Sequence, residues 1–149
     1  MSITASVIIK DSPSVLVDFL RDPFHLRLWT IHKNLYNHQG LCKEFREVSG
    51  GASFSIIRTQ VNCMDCEPTQ VIYTWSDMDH NPYKQFSFSI TEQATNQTLI
   101  SIQLPDATKL KLIQLELEIL KEFLETNKLK QLTEDEIIFL QKQQALLAL

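Results

Sequence analysis

The sequence predicts an α+β fold, an antiparallel sheet packed against one long helix towards the end of the chain. Three observations predict it. Residues 84–92 alternate cleanly, with Phe86, Phe88 and Ile90 on one face and Gln85, Ser87, Ser89 and Thr91 on the other. Such a period-two pattern marks an antiparallel strand with one buried face and one wet face. Residues 107–126 place Leu110, Ile113, Leu117, Leu120 and Leu124 at steps of three and four, joined by Leu112, Ile119 and Phe123. That stripe is wide enough to lie against a core. Finally, the opening stretch VIIKDSPSVLVDFLRDPFHLRLWT, residues 7–30, is punctuated by Ser-Pro and Asp-Pro, which start one helix and then break it.

The elements follow in order. Residues 3–10 are apolar and β-branched, and read as a strand. Ser12 before Pro13 is the N-cap and first-turn pairing of a helix whose apolar face is Val15, Leu16, Phe19 and Leu20. Asp22-Pro23 ends it, and Pro23 opens a second short helix through Phe24, Leu26, Leu28 and Trp29. Residues 31–37 form a weak strand signal, 41–48 an imperfectly alternating one, and Ser49-Gly50-Gly51 a hairpin turn into 52–61. Residues 69–76, TQVIYTWS, read as a strong strand, and 98–104 as the return from 84–92. After the long helix, Thr133 and Glu136 form a capping box, with Leu132 and Ile137 as its hydrophobic staple, so a last helix begins near Glu134.

Composition bounds the function. The 149 residues are 44% hydrophobic and 21% charged, enough for one domain with one sizeable core. A net charge of -4 argues against nucleic-acid binding, which needs a basic footprint. No apolar run reaches the roughly 20 residues of a membrane span, and the opening MSITASVIIKD has no secretion-signal pattern. Three cysteines fit reduced thiols in a cytoplasm. The three glycines build no phosphate-cradling loop, dinucleotide fingerprint or nucleophile elbow, and no cofactor is expected.

The order of elements, with the Ser-Pro start, the Asp-Pro break, Trp29, the late strands and the helix from Ala107, resembles the START-like, or Bet v 1-like, helix-grip superfamily, which includes polyketide cyclase-like proteins. The resemblance covers residues 3–127 and leaves 128–149 as an additional helix. It implies a curved sheet of about seven strands wrapped round the long helix, with the two short helices closing one end. It further implies a cavity between sheet and helix for an apolar small molecule or lipid, lined by Arg58, Tyr73, Trp75, Phe86, Phe88, Ile113 and Leu117. The added helix would cover the cavity mouth, dock on the sheet, or pair with a second subunit as a homodimer.

Several residues carry chemistry on this reading. If Phe54 and Ile56 point inward, alternation brings Arg58 and Gln60 with them. A buried guanidinium needs a partner, either a ligand head group or a structural ion pair; the other option is a register in which Arg58 snorkels out at a strand end. Tyr73 and Trp75 share a face with Val71, as pocket wall or as plain core. Cys63 and Cys66 form a C-x-x-C, but with only Cys42, His38 and His80 to complete a metal set, and a strand rather than a helix following, they read as thiols in a connection. Asp77, Asp79 and His80 read as a polar turn before Asn81-Pro82, with acid–base work as the other option. His25 and His32 flank the second short helix.

Three functions compete. The first is a carrier or sensor of an apolar small molecule. The second is a cyclase- or dehydratase-like enzyme pairing Arg58 with Tyr73 or a histidine. The third is a co-chaperone-like interaction protein exposing Ile137, Leu140 and Leu147. The carrier is preferred, because no catalytic constellation stands out.

Overall fold

The β-branched start of the chain is β1 (Ile3–Ile9), and Pro13 opens α1 (Pro13–Arg21) as the Ser-Pro signal predicts. The structure, a computed structural model, describes residues 3–33, 35–37, 45–48, 54–62 and 69–147. Asp22 ends α1 in an extended conformation, and its carboxylate accepts the Phe24 N–H at 3.0 Å, so one residue both stops α1 and caps the next turn. A single 3-10 turn, Pro23–His25, runs into α2 (Leu26–Trp29).

The strands that follow are β2 (Leu35–Asn37), β3 (Phe45–Val48), β4 (Phe54–Asn62), β5 (Thr69–Ser76), β6 (Pro82–Ala94) and β7 (Gln97–Leu104). All pairings are antiparallel, in the order β1-β7-β6-β5-β4-β3-β2. The expectation of a curved sheet of about seven strands is met in part. Five long strands make the curved sheet, and β2 and β3, of 3 and 4 residues, only extend its edge. The Ser49-Gly50-Gly51 turn and the Cys63/Cys66 connection lie outside the described residues.

The long helix is α3 (Leu110–Thr126), closed by Asn127 in the left-handed conformation at φ 59°. Its wide stripe serves two contacts. Ile113, Leu117 and Leu120 enter the main core with the sheet, while Ile119 and Glu116 turn towards α2 and the last helix, α4 (Glu134–Leu147). Side chains of α3 also occupy the free edge of β1. Gln114 Nε2 donates to the Ser6 carbonyl at 2.9 Å, Lys121 Nζ donates to the Ile8 carbonyl at 2.8 Å, and Glu125 accepts the Lys10 N–H at 2.8 Å. Backbone groups that would otherwise template another chain are thereby satisfied.

The predicted capping box of α4 is present in both directions. The Thr133 N–H donates to Glu136 Oε1 at 2.9 Å, and the Glu136 N–H donates to Thr133 Oγ1 at 3.2 Å. Replacing Thr133 with alanine removes one half of it. The expected result is a loss of about 1 kcal/mol in a urea titration, and an unchanged midpoint would show that α4 contributes nothing to folding.

Candidate functional site

The register between β4 and β5 puts Arg58 on the face away from the core, the outward option for this residue. Directly opposed residues share a face, and Ile57 lies opposite Trp75, Thr59 opposite Tyr73, and Val61 opposite Val71. The core face of β4 is therefore Ile57, Thr59 and Val61. Arg58 and Gln60 are exposed, and Arg58 extends along the surface to His80, Nη2 to Nδ1 at 3.4 Å. The physical reason is that Ile56 and Ile57 are adjacent, so either parity offers an apolar residue and only the partner strand chooses.

The other expected cavity residues come together, but as packing. Tyr73, Trp75, Phe88, Ile113 and Leu117 are buried in one cluster, with Phe86 half-buried against it. The rings meet edge to face: Tyr73 and Phe88 centroids are 6.0 Å apart, Trp75 and Phe86 5.6 Å, Trp29 and Phe88 5.8 Å. The Tyr73 hydroxyl donates to the Leu20 carbonyl at 2.6 Å. Burial, with Asp22 adding to it, holds that phenol far above the usual tyrosine range. The Tyr73 proton is thus engaged in tying α1 to the sheet.

The histidines and the polar loop also resolve into structure. His25 stacks on Phe19 at 4.3 Å with its Nδ1 at 2.7 Å from the Phe19 carbonyl. Asp77 accepts the Asp79 and Asn81 N–H groups at 2.9 Å each and His80 takes φ 67°, so this loop is a turn. The Asn81 N–H bond above all, with the Asp79 N–H adding to it, holds the Asp77 carboxyl below its usual range, against an opposing effect of desolvation. Among the described residues no cluster of three or more metal-ligating side chains forms, and no helix is long and apolar enough to cross a membrane.

What the residues do build is a groove of about 230 Å³ where α2, the segment after it, α3 and α4 converge. Its apolar walls include Leu28, Ile119, Leu132, Ile137 and Leu140. Its charged lining is Lys33, Lys130 and Glu116. Glu116 is 4% exposed, and its Oε2 accepts the Ile31 N–H at 2.8 Å. Burial pushes this carboxyl up to about 7, opposed by the Ile31 N–H and by the charges of Lys84, Lys33 and Lys109. Near neutral pH the group therefore exists in both states.

The surroundings position it. The Thr30 hydroxyl donates to the Leu26 carbonyl at 2.6 Å and accepts the His32 N–H at 3.1 Å, which fixes the chain as it leaves α2 and aims the Ile31 N–H at α3. His32 is buried against Trp75, with ring centroids 4.9 Å apart. Lys33 Nζ donates to the Arg27 carbonyl at 2.6 Å. Burial holds the Lys33 ammonium below the usual lysine range, with Glu116 pulling the other way and Arg27 adding to the depression. Lys84 lies opposite Trp75 on the core face of β6, its Nζ 4.6 Å from the Trp75 ring centroid. Trp29 lines the groove, and its Nε1 is buried without an acceptor among the described residues.

Sequence reasoning passed over Glu116 and Lys84, yet both left signals. Leu112, Ile113, Ile119 and Leu120 stand four and three residues to either side of Glu116, so an acid sits inside the apolar stripe. Lys84 shares the parity of Phe86, Phe88 and Ile90.

No protein-family model matches the chain, and no curated protein matches it. Solved structures do. A conserved protein of unknown function from Enterococcus faecalis superposes with a TM-score of 0.59 at 16% identity, over 98% of this chain and 85% of that one. The AHSA1 protein from Silicibacter pomeroyi gives 0.53 at 14% identity, over 86% and 100%. A START superfamily protein from Mycobacterium smegmatis gives 0.50 at 17% identity, over 85% and 95%.

Proposed function

We propose that this chain, whose fold is the START-like helix grip, binds a small apolar molecule in the groove between α2, α3 and α4, and acts as a carrier or sensor in the cytoplasm. The observation that carries the reading is Glu116, a carboxyl kept out of water in an apolar groove and hydrogen-bonded by the Ile31 N–H. Apolar walls with a few placed polar groups are the usual make-up of a small-molecule site. Burying a carboxyl costs stability, and a purely structural groove would be better served by leucine or glutamine. On this reading the packed cluster of Tyr73, Trp75, Phe88, Ile113 and Leu117 is the wall behind the site, and α4 is its outer cover.

The test is a fluorescence titration with 1-aminoanthracene, a neutral apolar probe. The wild-type chain is expected to bind it saturably at one site with a blue shift. Leu140→Trp, which fills the groove from α4, is expected to bind at least about tenfold more weakly, a difference of about 1.4 kcal/mol. Absence of saturable binding to the wild-type chain, or equal binding to both, would overturn the reading.

A further inference from the structure

We propose that the groove is built for an amphiphile with one carboxylate head on a single apolar chain, the head meeting Glu116 and Lys33. This inference rests on the groove being a small-molecule site and names the class of molecule it takes. Glu116 would hold a proton in the complex, drawn from solvent as the ligand enters.

The charges around the carboxyl decide between an anionic and a cationic head. Lys33 comes from the segment after α2, Lys84 from β6 and Lys109 from the start of α3, and all three favour the charged form of Glu116. Arg27, on α2, faces Lys33. Lys130, in the connection to α4, lines the groove and pairs with Glu136 at 3.8 Å. The part of α4 that lines the groove offers Gln141 and Gln144, which are uncharged. A cationic head would add one more positive charge to this set. A carboxylate instead meets Lys33, whose ammonium uses one of its three donors on the Arg27 carbonyl.

The second contact depends on protonation. When Glu116 is neutral, the oxygen that does not take the Ile31 N–H donates its proton to the ligand carboxylate, an O–H···O⁻ hydrogen bond of the strong charge-assisted kind. When Glu116 is ionised, two carboxylates face each other and repel. Size points to a single chain. A volume of about 230 Å³ lies below the usual range for drug-sized ligands, roughly 300–1,000 Å³, and suits one chain better than two.

The experiment is isothermal titration of the full chain with decanoate, decylamine and 1-decanol at pH 6 and pH 8. Each measurement is repeated in two buffers of different ionisation enthalpy, and on Leu140→Trp and Glu116→Gln. Decanoate is expected to bind about tenfold tighter at pH 6 than at pH 8, because a group titrating near 7 is about 90% protonated at the first and about 10% at the second. At pH 8 the wild-type chain is expected to take up close to one proton per ligand. That buffer-dependent heat is read on the wild-type chain, so the test does not depend on a variant folding. Glu116→Gln is expected to abolish the pH dependence, and Leu140→Trp to weaken all binding.

If decanol or decylamine binds and decanoate does not, the carboxylate inference is wrong and the groove reading stands. Equal binding of decanoate at both pH values would likewise overturn the inference and leave the groove in place. If no probe binds, or Leu140→Trp binds them all as well as the wild type, the groove itself is misassigned and the inference falls with it.

Discussion

Urea titrations of the wild-type chain and of Glu116→Gln are expected to diverge as pH rises. Glu116 is almost fully buried, and its carboxyl is raised from 4.5 to about 7 in the folded protein. A raised acid works in the opposite sense from the common lowered one. Below about pH 4 both folded and unfolded chains hold the proton, and the group costs the fold nothing. Between 4.5 and 7 the unfolded chain gives up its proton while the folded chain keeps it, so stability falls as pH rises through this window. Above it the loss is complete, at about 3 kcal/mol on an order-of-magnitude basis. Glutamine keeps an oxygen for the Ile31 N–H and carries no charge. The two proteins are therefore expected to be close in stability at pH 5, with the variant more stable by up to about 3 kcal/mol at pH 8. Equal differences at the two pH values would mean that Glu116 reaches solvent or a partner cation when ionised. Asp77 and Asp106, whose carboxyls are held low by local hydrogen bonds, act in the other direction as pH falls, which is why the comparison is made between two proteins and not on one curve.

Truncating Trp75 to alanine is expected to cost about 3–5 kcal/mol, the range for large aromatic residues removed from a packed core. Trp75 is 1% exposed and touches Phe86, Tyr73 and His32 through its ring, with the Lys84 ammonium over its face. Its Nε1 has no acceptor among the described residues, so the loss comes from packing and not from a hydrogen bond. The measurement separates wall from ligand contact. If Trp75 bounded an open cavity, half its neighbours would be missing and truncation would cost well under about 3 kcal/mol. If it is packed on all sides, the variant is strongly destabilised, and 1-aminoanthracene still binds whatever fraction remains folded.

The parts of the fold that the sequence determined are those whose signals are local. Ser12-Pro13 and Asp22-Pro23 set the ends of α1 through proline's fixed backbone, and Thr133 with Glu136 set the start of α4 through two hydrogen bonds three residues apart. The alternation of Phe86, Phe88 and Ile90 fixed their shared face, since strand geometry allows no other arrangement. The stripe on α3 was legible as wide, and its width was correctly a sign of burial.

Tertiary structure decided what lay across the chain. The parity of Arg58 turned on which of Ile56 and Ile57 faces Trp75, a fact held by β5 and not by β4. The tyrosine expected to serve a ligand gives its proton to a carbonyl 53 residues away. The stripe on α3 hid its most informative member, because an acid inside an apolar arc has meaning only once Ile31, Lys33 and α4 are known to meet there. Helix and strand signals come from neighbours a few residues apart. A site is made where distant segments bring charge, burial and space to one point, and only packing in three dimensions does that.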